Sequence, residues 1–333
     1  MATKNEVLKL ALDTMNGSVS GEFSKKEQAE AIRAGLIDLN GGSTKLNARD
    51  FRPGNAVFEI IQEILPTAIE GGLKEDEFFF NMVDYRNLAE GDMNEFWTED
   101  KSLLFVGDVA QGSQALRRQR LNGGSKISLS TKLKGIKVYE EMRRLMAGRV
   151  DFNTLIDRAS FSFTNQMRND IYAAFAGINA ATAGLSETYV KTGSWDAETL
   201  MDIIAHIEAS TGKTPTVLGT KKALRKIQDA TQSDEAKSDL YNIGFYGKFY
   251  GTPLVSVKQI HKTNSDEFLL PDDKLWIIAS EDKPVKCVNE GEGMLIQRES
   301  LENADLTQEW AWYQAYGCGV ICNEKMGIYT IEG

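Results

Sequence analysis

The chain has 333 residues, with 38 Lys plus Arg against 48 Asp plus Glu, two His and a formal net charge of -10. At 42% hydrophobic and 26% charged residues, it is too apolar for wholesale disorder, and its acidity argues against a dedicated DNA-binding protein. No apolar run approaches the ~18 residues of a membrane span, and residues 1–15 lack the basic-then-apolar order of a secretory leader, so the sequon Asn16-Gly17-Ser18 is not expected to be glycosylated.

At ~150 residues per domain the length suggests about two compact units. Residues 1–69 read as helical and peripheral. Ser24-Lys25-Lys26-Glu27 has the form of a capping box, with Ala29, Ile32, Leu36 and Leu39 following at helical spacing before Asn40-Gly41-Gly42 ends the helix. The spacing of Ile60, Ile61 and Ile64 predicts a second helix over 56–65, stopped before Pro66.

Residues 70–137 are β-rich and their charge is segregated. Residues 70–108 hold 11 acids and 3 bases; residues 109–137 hold 7 bases and no acid. Ile127, Leu129, Thr131 and Leu133 alternate like a strand, and the parity shift to Ile136 and Val138 suggests a bulge or bend at Gly135. Two limbs of about 15 residues would each reach roughly 50 Å. Such a ribbon is marginal alone and leaves open edges, so it persists best on a neighbouring copy. Oppositely charged limbs favour a head-to-tail register, which closes rings. A hairpin folded back on its own core is the alternative.

The clearest helix spans 151–177, where Phe152, Ile156, Ala159, Phe163, Met167, Ile171 and Phe175 step by three or four. Residues 195–279 alternate helix and strand. Asp196 is placed to cap a helix that Gly212 ends, and strands follow at 216–218, 254–257 and 275–279. Trp310, Trp312, Tyr316, Cys318, Val320 and Cys322 fall on even positions, as on one face of a strand, and 328–331 closes the chain.

Chemistry-bearing motifs are sparse. Three cysteines, Cys287, Cys318 and Cys322, do not make a disulfide framework. Cys318 and Cys322 would sit roughly 13 Å apart along a strand, beyond disulfide reach, so all three read as small buried apolar residues. His206 and His261 have no partner at metal-ligand spacing. Gly212-Lys213-Thr214 lacks the earlier glycine of a phosphate loop and reads as a helix end. The run Arg117-Arg118-Gln119-Arg120, beside Asn122-Gly123-Gly124, admits three readings. It is a solvated loop, a contact for an acidic neighbour, or a phosphate-gripping patch without an interleaved aromatic residue.

Several phrases resemble the major capsid protein family of tailed bacteriophages. They are Asp38-Leu39-Asn40-Gly41-Gly42-Ser43-Thr44-Lys45-Leu46, Tyr85-Arg86-Asn87 with Gly91-Asp92, Arg117-Arg118-Gln119-Arg120-Leu121, Val138-Tyr139-Glu140-Glu141 and Gly148-Arg149-Val150-Asp151-Phe152. The resemblance implies an α+β tailed-phage major-capsid fold. Its parts would be an N-terminal helical arm (1–69), an extended β-arm loop (70–137), a peripheral domain (138–190 and 285–333) with a spine helix over 151–177, and an α/β axial domain (191–284). It implies hexamers and pentamers of an icosahedral virion capsid enclosing double-stranded DNA, assembled in the host cytoplasm with a separate scaffolding protein and a portal. No catalytic residue, cofactor, metal or membrane partner is expected. Arg117, Arg118, Arg120 and Lys126 would meet Asp92, Glu95, Glu99 and Asp100 between subunits. Some members weld subunits through a lysine–asparagine bond; Lys101, Lys126 and Asn122 lie in that region, and no motif singles one out. An encapsulin-type nanocompartment shell is a close variant. A carboxylate-dependent enzyme in the α/β unit is the competing class.

Overall fold

The computed structural model describes residues 25–39, 81–98, 104–108, 118–120, 124–140, 152–181, 183–227, 242–263, 265–279, 283–298 and 308–332, with residues 9, 10, 13, 65, 66, 69 and 71–73 as short helical stretches. Residues 65 and 66 are both helical, so Pro66 lies within a helical turn; residues 56–64 of the expected second helix lie outside the described residues.

The expected capping-box helix is α1 (Lys25–Leu39), and the long helix is α2 (Phe152–Ala176). At 1.5 Å per residue, α2 is about 37 Å long. Its stripe of Ala159, Phe163, Met167, Ile171 and Phe175 is buried and forms the centre of the main core with Ile32, Leu65 and Leu73.

This stripe packs on a four-stranded sheet built from β1 (Val83–Leu88), β4 (Lys132–Glu140), β10 (Val285–Arg298) and β11 (Gln308–Val320), in the order β1-β10-β11-β4. Trp312 and Tyr316 of β11 turn to the helix, with the Tyr316 ring edge-on to Phe163 at 5.9 Å. Trp312 and Tyr316 thus share the inward face, as the alternation predicts.

A six-stranded sheet runs β5-β12-β9-β6-β8-β7. Its members are β5 (Val190–Gly193), β6 (Pro215–Gly219), β7 (Lys248–Phe249), β8 (Thr252–Ser256), β9 (Lys274–Ala279) and β12 (Gly327–Ile331). Helix α3 (Ala197–Thr211) buries Leu200, Ile203, Ile204 and Ile207 in a second core with Val217, Ile277 and Tyr329. Asp196 caps it by accepting from the Thr199 amide at 3.0 Å, and Gly212 ends it in the left-handed conformation. The short helix α4 (Lys221–Arg225) follows β6.

Four local expectations are corrected. First, β12 pairs with β5 and β9, not with the β10–β11 sheet that precedes it in the chain. A five-residue strand that is nearly all buried has no alternation to show which sheet it joins. Second, Gly135 makes no bulge, because β4 pairs with β11 in continuous register through Gly135↔Tyr313. A Cβ there would lie 2.6 Å from the Tyr313 ring, so the glycine admits that ring. Third, residues 128–131 are not part of a strand.

Fourth, Cys287 and Cys318 are not isolated thiols. They are register partners on β10 and β11, joined as a disulfide with Cα atoms 4.3 Å apart. Their separation of 31 residues hid a proximity that exists only once the two strands pair. Cys322 lies outside the disulfide, with Sγ 3.3 Å from Met326 Sδ.

Candidate assembly interface

The β-arm is shorter and better rooted than two free 15-residue limbs. Its limbs begin as the two edges of the four-stranded sheet: β1 pairs parallel with β10, and β4 pairs antiparallel with β11. Beyond the sheet, among the described residues, β2 (Phe96–Thr98) and β3 (Ser125–Ile127) form a ribbon of three residues each. Each limb thus has one backbone edge paired within the chain, while its outer edge stays open among the described residues.

The base of the arm lies on the sheet face opposite α2. Phe96 is buried against Val288 and Ile321, with Leu88 and Leu129 beside it. The Arg86 guanidinium stacks 4.3 Å from the Phe96 ring centroid and donates to Asp84 at 3.0 Å. Lys286, only 7% exposed in its side chain, meets the same carboxylate at 3.3 Å. Burial raises the Asp84 pKa, but hydrogen bonds and charge from Arg86 and Lys286 outweigh it and hold the carboxyl below its ordinary value. Asn94 donates to the Leu129 carbonyl at 2.6 Å across the base, and Thr131 donates to Glu290 at 2.5 Å.

A second polar cluster fixes the returning limb to α2. Lys134 pairs with Asp170, which also accepts from Tyr316 Oη at 2.7 Å and from Gln166 at 3.2 Å. Burial, then the hydrogen bond and charge of Asp170, push the Tyr316 phenol pKa well up.

Past this base the arm turns apolar and exposed. Trp97 is 53% exposed, Phe105 73%, Val106 91% and Met93 80%. Phe96 and Trp97 are consecutive strand residues on opposite faces, one bound to the parent sheet and the other turned away from it. The turn into β3 uses Gly124 at φ +63, where a Cβ would lie 2.2 Å from the Thr98 carbonyl oxygen.

The Gln119 side-chain amide pairs with both backbone groups of Phe105, each at 2.7 Å. That bond brings Arg118 and Arg120 beside the 104–108 segment. The basic run lacks an aromatic residue in sequence, but the folded tip supplies Phe105.

The charged candidates fare differently. Glu95 and Lys126 pair with each other at 2.7 Å inside one chain. Asp92 is exposed and its carboxylate accepts from the Ala89 amide at 3.3 Å, closing a turn. Arg118 and Arg120 are exposed. Arg117, Glu99 and Asp100 lie outside the described residues, as do Lys101 and Asn122. The apolar tip was missed in the sequence reading because charge dominates the segment; the signal was the run Leu103-Leu104-Phe105-Val106. Among the described residues, no cluster of His, Cys, Asp or Glu could hold a metal ion, and no helix is long and apolar enough to cross a membrane.

The fold and the sequence both have relatives. The solved mature capsid of bacteriophage PhiM1 is similar in fold, with a TM-score of 0.53 at 9% identity, covering 78% of this chain and 88% of that one. The acid-stable capsid of Helicobacter pylori bacteriophage KHP30 gives 0.52 at 11% identity, with 77% and 90% covered. No curated protein matches the sequence. A family model described as "SPbeta prophage-derived putative capsid protein YonB" matches residues 8–330. The chain therefore belongs to the YonB family, a capsid protein of phage-type shells with the mixed helix-and-sheet fold of phage major capsid proteins.

Proposed function

We propose that this chain builds an icosahedral shell of hexamers and pentamers around double-stranded DNA, acting as a structural protein without catalysis. The observation that carries the reading is the arm: a base fastened by Phe96 to its own sheet, and a tip that leaves Trp97, Phe105 and Val106 in solvent. Large apolar side chains left exposed on one projecting segment are the kind of surface a protein contact covers. Its natural occupant is a second copy. By strand register, Leu133, Met294 and Ile296 line the same sheet face as Phe96 but further along, and all three are exposed. A neighbour's tip fits there, and a contact between two different patches propagates around a ring.

In this reading residues 1–69 form the N-terminal arm, 70–137 the β-arm, 138–190 with 285–333 the peripheral domain, and 191–284 the axial domain, with β12 crossing from the peripheral segment into the sheet of the axial domain. The net charge of -10 keeps the shell wall from binding its polyanionic cargo tightly. A separate scaffolding protein and a portal are expected partners, with assembly in the host cytoplasm. Arg118 and Arg120 flank the tip and offer charge for a partner's acidic side chains.

The test is size-exclusion chromatography followed by nuclease protection on particles from infected or producing cells. Megadalton particles holding nuclease-resistant double-stranded DNA support the proposal. A stable 37.0 kDa monomer contradicts it. Closed shells that enclose protein without DNA favour a nanocompartment.

A further inference from the structure

We infer that the Cys287–Cys318 disulfide is a redox latch on the roots of the β-arm, open while the chain assembles and closed afterwards. The sheet order is β1-β10-β11-β4. The arm therefore leaves from one edge and returns at the other, and the central pair β10–β11 sets the distance between its roots. The two cysteines face each other across that central pair, in the row Tyr85↔Cys287↔Cys318 that continues from β1. A few residues further on, β10 loses register with β11 between Glu290 and Met294. The pair thus bolts the sheet next to the place where its pairing is interrupted.

Burial makes the bond conditional. Cys287 is 1% exposed and has no access to a bulky oxidant, whereas Cys318 is half-buried and packs at the margin of the core. Oxidation proceeds in two exchange steps. The Cys318 thiolate attacks a small-molecule disulfide, releasing one thiol and leaving a mixed disulfide. The Cys287 thiolate then attacks the Cys318 sulfur and releases the second thiol. Two protein thiols lose two electrons and two protons, and the small disulfide becomes two thiols. A reducing cytosol keeps the pair open, and an oxidising exterior closes it. Cys322 takes no part in the disulfide.

The inference rests on the shell reading, and its test separates the two. The full chain is purified under reductant, and particles are split and treated with or without oxidised glutathione. After denaturation, a thiol reagent should find three thiols per chain without the oxidant and one with it. Oxidised particles should need more guanidinium to disassemble than reduced ones. That difference should vanish in Cys287→Ala and in Cys318→Ala and persist in Cys322→Ala. Three thiols after oxidation overturn the latch, as does bond formation with no change in disassembly. If no particle forms, the shell reading fails. The thiol count on the soluble chain then still decides the bond: one thiol supports closure, three overturn it.

Discussion

Replacing Trp97 with Ala separates assembly from folding. A Trp side chain offers up to ~250 Å². Trp97 is 53% exposed in the single chain, so full coverage by a neighbour would bury about 130 Å². At about 25 cal/mol per Å² that is ~3 kcal/mol per contact. With 1.4 kcal/mol per tenfold, the minimum protein concentration for assembly should rise about a hundredfold. The single chain should lose less stability than in Phe96→Ala, because about half of the Trp97 side chain already faces water. Phe96→Ala, one residue earlier, should do the reverse: a loss of about 3–5 kcal/mol in the packing of the arm base, with the main core intact. The assay is light scattering across a concentration series, paired with guanidinium unfolding of the unassembled chain. Assembly of Trp97→Ala at the wild-type threshold would refute the idea that the arm tip is buried between copies.

Other consequences follow from the charged groups. Arg118→Glu should impair particle formation while leaving circular dichroism nearly unchanged, since Arg118 is exposed; normal particles would remove it from the interface. The Asp84 carboxyl is held below its ordinary pKa, so its stabilising contribution is complete above about pH 4, the unfolded value, and is lost as pH falls through the lower folded value. Acid unfolding should expose this, and Asp84→Asn should lose about 2 kcal/mol at neutral pH by leaving Lys286 buried without its carboxylate. Tyr316→Phe should cost about 1.5–3 kcal/mol through its charge-assisted bond to Asp170. Because the Tyr316 phenol is pushed up, its stabilising contribution is present below about pH 10 and declines above it. A thermal-melt series from pH 8 to 11 should show that decline in the wild type and less of it in Tyr316→Phe.

The helix signals in the sequence were faithful to the structure. The stripe from Ala159 to Phe175 and the caps Asp196 and Gly212 depend on residues within a few positions of one another, and α2 and α3 formed where their spacing requires. Strand partners are a different matter. The bond between Cys287 and Cys318, the seat of Gly135 under Tyr313 and the transfer of β12 into the other sheet are set by residues far apart in the chain. Periodicity carries no information about such pairs. The arm shows both outcomes. Its segregated charge marked the segment, but Glu95 and Lys126 satisfy each other at home, and the surface left open is apolar. Trp97 escaped notice because β2 is three residues long, too short for an alternation to show.

Cryo-electron microscopy of the purified chain bears most directly on the central claim. Closed shells in which the Trp97 and Phe105 side chains are covered by an adjoining subunit are the expected image. Discrete single chains at concentrations well above those of infected cells, or shells whose arm tips stand free in solvent, would contradict it.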